Sequence, residues 1–151
     1  MSDRIEANQV LGDAAATNPQ ITADALIDLR LHHPLAKQQH LLCPYDELFW
    51  TEAGRALAAL ALALDPVYAP FNIVRYKWFT ERLQRAAGEA PQILMLGAGF
   101  DSRALTLPQL ATGALQLFEV DFTEKINAKL DVFARHRVHL PPGLHHVGAD
   151  L

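Results

Sequence analysis

Apolar positions along this chain change their period at Pro91. Before it they recur at helical spacing, and after it they gather in short runs separated by turns. Leu26, Leu29 and Leu35 suggest a buried helical face. Thr22 can cap that helix, Ile21 can staple onto Leu26, and Pro34 interrupts it. Leu48, Phe49, Ala56, Leu57, Leu60 and Leu64 form an apolar stripe that predicts a helix from Tyr45 or Asp46 to Leu64. Asp65-Pro66 reads as a stop followed by a start. Another helix is expected over residues 71–87, with Tyr76, Phe79, Leu83 and Ala86 on one face and Gly88 and Pro91 ending it.

Beyond Pro91 the pattern alternates between strand and helix. Gln92 to Leu96 is the first predicted strand, and residues 102–107 a short helix. Leu115 to Val120 is the second strand. Thr123 caps a helix reaching His136, with Ile126, Leu130 and Phe133 at i, i+4 and i+7 facing the sheet. Pro141-Pro142-Gly143 is a turn, and Leu144 to Gly148 the third strand. The order βαβαβ defines an α/β, Rossmann-like fold, the first half of a doubly wound sheet preceded by a helical cap. The chain then divides into an N-terminal arm (residues 1–20), a helical cap (21–90) and a truncated Rossmann-like half (91–151). An uncovered edge on the first strand would leave it open to pairing with another chain.

Chemistry concentrates where the first strand ends, at Ile93-Leu94-Met95-Leu96-Gly97-Ala98-Gly99-Phe100-Asp101-Ser102-Arg103. Gly97 and Gly99 allow a sharp turn and close approach of a ligand to the backbone. Asp101 and Ser102 offer capping chemistry to the next helix. Phe118-Glu119-Val120-Asp121 follows at about 20 residues, the distance expected for the ribose-binding acid of a nucleotide-binding βαβ unit. The motif is Gly-x-Gly-x-x-Ser rather than Gly-x-Gly-x-x-Gly. Asp101 would set a negative charge beside a dinucleotide's pyrophosphate, whereas S-adenosylmethionine has no phosphate. The turn therefore favours the methyl donor over a dinucleotide, and a glycine turn without any ligand stays open.

Composition narrows the field. The chain has 151 residues, half of them hydrophobic, enough for one domain with a sizeable core. Its formal net charge is −4, with both signs interspersed, which argues against a nucleic-acid partner. Cys43 is the single cysteine, so no internal disulfide forms and a reducing compartment suits the chain. The N-terminus lacks the apolar core of a signal peptide, and the run from Ala56 to Leu64 is too short to span a bilayer. A cytoplasmic location without a membrane partner is expected. The seven histidines include the adjacent pairs His32-His33 and His145-His146, whose side chains should point apart. No carboxylate or cysteine completes a compact ligand set, so no metal site is expected.

Leu96-Gly97-Ala98-Gly99-Phe100-Asp101-Ser102-Arg103-Ala104-Leu105, followed by Leu107-Pro108, resembles the Leu-Gly-Ala-Gly-x-Asp-Thr-Arg-x-x-x-Leu stretch of the leucine carboxyl methyltransferase-like family. Phe118-Glu119-Val120-Asp121 resembles that family's second-strand signature. The resemblance runs from Tyr68 to the last residue and more weakly upstream; Ser102 departs from the usual threonine. It implies a class I S-adenosylmethionine-dependent O-methyltransferase acting on a carboxylate or hydroxyl of a small molecule or protein.

The resemblance also assigns residues to S-adenosyl-L-methionine. Arg75 corresponds to the family's arginine for the donor carboxylate, a group a guanidinium grips bidentately. Lys37 lies near the position of the family's lysine, in a poorly matching region. Gly97, Ala98 and Gly99 form the turn, with Asp101 a family-like residue after it. Asp121 accepts the ribose hydroxyls, and Glu119 shares that task or holds the loop. Asp150 meets the adenine amino group, with the amide of Leu151 beside it. A carboxylate acceptor is already ionised and needs no general base; a hydroxyl would need one, and the sequence names none. Two other readings stay open: a non-catalytic remnant that oligomerises through its sheet edge, and a dinucleotide-binding domain.

Overall fold

The computed structural model describes residues 19–41 and 43–150, so most of the predicted arm and Leu151 lie outside the described residues. The chain divides into two compact units, with the boundary after Lys77.

The first unit is helical. It comprises α1 (Pro19–His32), α2 (Pro34–Gln38), a 3₁₀ turn at Asp46–Phe49, α3 (Glu52–Leu64) and the first part of α4 (Tyr68–Glu89). α1 starts three residues ahead of the predicted Thr22 cap, with Pro19 at a position where a missing N–H costs nothing. Pro34 does break the helix, and His33 caps α2 by accepting the Leu35 amide on Nδ1 at 3.3 Å.

The helix predicted from Asp46 to Leu64 is split, and tertiary contacts explain the break. Trp50 Nε1 donates to Asp28 Oδ1 at 2.7 Å, and Thr51 Oγ1 donates to Asp24 Oδ2 at 2.8 Å. Both side chains are drawn onto α1 from extended backbone. Thr51 then caps α3 by accepting the Gly54 amide at 3.0 Å. The buried face of α3 also differs from the expected leucine stripe. Gly54, Leu57, Ala58 and Ala61 are buried, while Leu60 is exposed. The reason is closeness: a Cβ at Gly54 would lie 2.5 Å from the Asp24 Cβ. Arg30 grips Asp46 with Nε and Nη2 at 2.9 and 3.0 Å, which ties α1 to the 3₁₀ turn. Ala25, Leu29, Ala36, Leu41, Leu57, Ala58, Ala69 and Ile73 fill this unit's core.

α4 begins earlier than predicted because Pro70 falls within its first turn, where a missing donor is tolerated. Asp65 marks the entry by accepting the Val67 amide at 3.0 Å. At the other end the helix runs through Gly88 and stops at Glu89.

The second unit holds a three-stranded parallel sheet of order β1-β2-β3: Gln92–Leu96, Gln116–Asp121 and Leu144–Gly148. β1 and β3 have the predicted bounds. β2 is shifted by one residue, which brings Asp121 into the ladder opposite Gly148. Between β1 and β2 the predicted short helix is a 3₁₀ turn (Arg103–Thr106) followed by α5 (Pro108–Ala111). Ser102 precedes the 3₁₀ turn without a capping bond from its side chain. α6 (Thr123–Arg135) connects β2 to β3, and its N-cap is Phe122 rather than Thr123.

The two sheet faces differ. Ile93, Met95, Leu117 and Leu144 pack with Leu83, Ala87, Ala104, Leu107, Leu110 and Leu115. On the other face, Leu94 and Leu96 of β1 are 61% and 65% exposed, and Val147 of β3 is exposed across β2 from them. β1 and β3 are the outer strands of this sheet.

Candidate functional site

The site is built where β1 ends. Gly97 and Gly99 have φ of +66° and +49°, the left-handed region that side chains rarely adopt. The two glycines reverse the chain within three residues. The Gly97 and Ala98 amides both donate to the Val120 carbonyl, at 2.8 and 3.2 Å. A Cβ placed on Gly97 would meet nothing within 4 Å, so open space lies over the turn.

β2 supplies the acidic partner. Asp121 is buried at the carboxyl end of the strand. Its Oδ2 accepts the Gly99 amide at 2.6 Å, and its Oδ1 accepts the Phe122 amide at 2.8 Å. Two amides take two of the roughly four acceptor positions of a carboxylate, which leaves capacity for hydroxyl donors. An oriented carboxylate below an open glycine turn, at the carboxyl ends of parallel strands, fits a ribose-bearing ligand.

Asp101 is not the free acid that the sequence suggested. Arg103 clamps it: its amide and Nε both reach Oδ1 at 2.9 Å, Nε also lies 2.9 Å from Oδ2, and Nη2 pairs with Oδ2. Arg103 Nη1 continues to Thr80 Oγ1 at 3.3 Å. Burial pushes the Asp101 carboxyl up. The Arg103 hydrogen bonds and charge, with the charge of Lys129, outweigh that and hold it below the usual carboxylate value. The turn's acidity is therefore neutralised within the protein. The electrostatic argument against a pyrophosphate loses its force.

Glu119 lies behind the turn with its side chain 1% exposed, 2.5 Å from the Nζ of the equally buried Lys129. That ammonium also donates to the Asp101 carbonyl. His146 Nε2 stands 3.3 Å from Glu119 Oε2. Its neighbour His145 points to the opposite face and stacks on Phe118, with centroids 4.7 Å apart. Among the described residues no three His, Cys, Asp or Glu side chains gather as metal ligands.

The structure thus brings together Gly97, Ala98, Gly99, Asp101, Glu119 and Asp121. Asp150 follows β3 by two residues and is exposed, next to Ala149, whose amide donates to the Asp121 carbonyl at 2.9 Å. Leu151 lies outside the described residues. Arg75 and Lys37 belong to the helical unit: Arg75 is exposed on α4 and Lys37 is exposed in the last turn of α2. Burial raises the Tyr68 hydroxyl pKa, and the Arg75 charge opposes that.

Sequence reasoning missed Arg103, Lys129 and His146 as parts of this cluster. A signal existed for Lys129. It falls between Ile126 and Phe133 on the apolar stripe of α6, where a charge must be buried and paired. Leu130, the predicted core position, is only half-buried.

The parallel sheet, the left-handed glycine turn and the acid ending β2 define a Rossmann-like α/β domain. Residues 7–151 match the leucine carboxyl methyltransferase family, and the chain belongs to it. It is 30% identical over 127 residues to a Mycolicibacterium smegmatis protein named "Putative S-adenosyl-L-methionine-dependent methyltransferase", covering 77% of this chain and 40% of the relative. It is 37% identical over 101 residues to a Parafrankia protein of the same description, covering 66% of this chain and 31% of the relative. The chain thus spans well under half of the length of these relatives.

Proposed function

We propose that this chain binds S-adenosyl-L-methionine and serves an O-methyltransferase whose acceptor is a carboxylate or a hydroxyl. One observation carries the reading: the Asp121 carboxylate is held under the glycine turn by the Gly99 and Phe122 amides. The donor would supply an electrophilic methyl group. The residues of this chain would bind and orient it. Asp121 takes the ribose hydroxyls, and Gly97 to Gly99 allow close backbone approach. Asp150 and Leu151 take the adenine, and Arg75 with Lys37 the donor's carboxylate. Family membership supports the methyl donor over a dinucleotide now that Arg103 neutralises Asp101. A carboxylate acceptor on a small molecule or protein needs no general base from the protein, which suits a site where none is assigned. A cytoplasmic location accompanies this reading, supported by the single cysteine.

A second reading has its own observation. Leu94, Leu96 and Val147 expose one apolar sheet face, and β1 is an outer strand. This favours a non-catalytic module that oligomerises through that sheet.

Calorimetric titration with S-adenosylhomocysteine separates the two. Wild-type chain is expected to bind, and Asp121→Ala to lose at least about tenfold in affinity. A folded chain that binds nothing and associates with rising concentration overturns the donor reading and supports the second.

A further inference from the structure

We infer that Lys129 is a positioning residue for the glycine turn: its buried ammonium, held by Glu119, fixes the Asp101 carbonyl and with it the shape of the donor-binding loop. The inference rests on the donor-binding reading for its functional meaning. The geometry stands apart from it.

The turn is held at three points. Its start is fixed by the Val120 carbonyl, which accepts the Gly97 and Ala98 amides. Its middle is fixed by Asp121, which accepts the Gly99 amide. Its far end is fixed by Lys129, which donates to the Asp101 carbonyl from α6. The first two holds come from β2. The third reaches across from the next helix and needs a long side chain ending in a donor. Neither side chain of the Glu119–Lys129 pair is more than 1% exposed, and Nζ also lies 5.9 Å from the Phe133 ring centroid.

Burying two charges is a poor way to gain stability. The attraction of a buried pair roughly offsets its desolvation, and a well-packed apolar pair often does as well. An apolar pair would leave the Asp101 carbonyl without this donor. What the charged pair adds is a defined position for the end of the turn. On β3, His146 Nε2 lies 3.3 Å from the same acid but makes no hydrogen bond to it. β2 and α6 therefore both contribute to holding one loop.

The test compares wild type with Glu119→Leu/Lys129→Met. The first readout is backbone amide exchange in the ligand-free chain. The variant is expected to exchange at least about tenfold faster across residues 97–103, with protection in β2 and β3 unchanged. Equal exchange across the turn in a folded variant overturns the inference. The second readout is affinity for S-adenosylhomocysteine, expected to fall at least about tenfold at equal or higher thermal stability. Unchanged affinity likewise overturns it. If wild type itself fails to bind, the donor reading falls, and exchange still decides whether Lys129 positions the turn. Glu119→Gln/Lys129→Gln serves if the apolar pair does not fold: it keeps a side-chain hydrogen bond and shortens the arm that reaches Asp101, with the same expected results. Lys129→Arg keeps charge and donor and is expected within about threefold of wild type in both readouts. A loss there as large as in the double variants points to packing alone and overturns the assignment.

Discussion

The amide of Gly99 lies 2.6 Å from Oδ2 of Asp121, so the turn after β1 is fastened to the carboxyl end of β2. The same carboxylate accepts the Phe122 amide, where β2 gives way to α6. One acid thus sets the exits of two adjacent strands. In a parallel sheet these exits form the ligand-facing rim. An acid oriented by backbone amides loses little freedom when a ligand hydroxyl joins it.

The left-handed glycines give the first prediction. Neither Gly97→Ala nor Gly99→Ala meets a severe steric obstacle: the space over Gly97 is open, and a Cβ at Gly99 would lie 3.8 Å from Asp121 Oδ2. The cost is then conformational, about 1–2 kcal/mol for a non-glycine residue in this region. Urea unfolding should show that loss for each alanine variant. Asparagine, which tolerates the left-handed region better, should cost less. Alanine variants as stable as wild type would mean that the turn adopts another conformation in solution.

Asp101 and Arg103 predict a pH dependence. The folded pKa of Asp101 is depressed below 3.8 despite burial, because Arg103 and then Lys129 oppose it. Its contribution to stability is therefore complete above 3.8 and is lost as pH falls through the folded value. Arg103→Met removes the main opposing cause. Burial then dominates and raises the carboxyl, so stability falls as pH rises past 3.8 instead. Asp24, raised by burial against its Thr51 hydrogen bond, also favours acid, but it is common to both proteins and cancels in their difference. Stability measured from about pH 3 to about pH 6 should show the Arg103→Met deficit growing with pH. A deficit that stays constant would mean that Arg103 does not control the ionisation of Asp101.

A third prediction concerns the helical unit. Arg30→Met leaves the fully buried Asp46 carboxylate without its bidentate partner. Breaking a buried pair from one side typically costs 3–5 kcal/mol, so a loss of about that size is expected in thermal unfolding. Arg30→Met/Asp46→Leu should recover most of it, since no charge is then stranded. If the single variant costs under about 1 kcal/mol, Asp46 is reaching water in solution.

Much of the second unit was legible in the sequence. An apolar run between Pro91 and Gly97 bounded β1, the Pro141-Pro142-Gly143 turn marked the start of β3, and two glycines before an acidic residue marked the turn after β1. The Asp121 segment was readable from its spacing alone. What escaped was set by contacts distant along the chain. The break at Trp50 and Thr51 comes from Asp28 and Asp24 on α1, more than 20 residues earlier. The small-residue face of α3 reflects how closely Asp24 approaches Gly54, which no helical periodicity reports. Lys129 was hidden for a related reason. A lysine on a helix is read as solvated unless its partner is known, and the sequence leaves Glu119 either sharing the ribose or holding the loop, with no partner named.

The strand order β1-β2-β3 also bears on how the second unit forms. Each strand pairs with the one that precedes it in the chain, so a strand leaving the ribosome finds its neighbour already synthesised. Among the described strands no pairing waits for a distant segment, which keeps loop-closure cost low for this parallel sheet. These three strands can pair one at a time during synthesis, with the glycine turn gaining its first holds when Val120 and Asp121 emerge and its last when Lys129 follows.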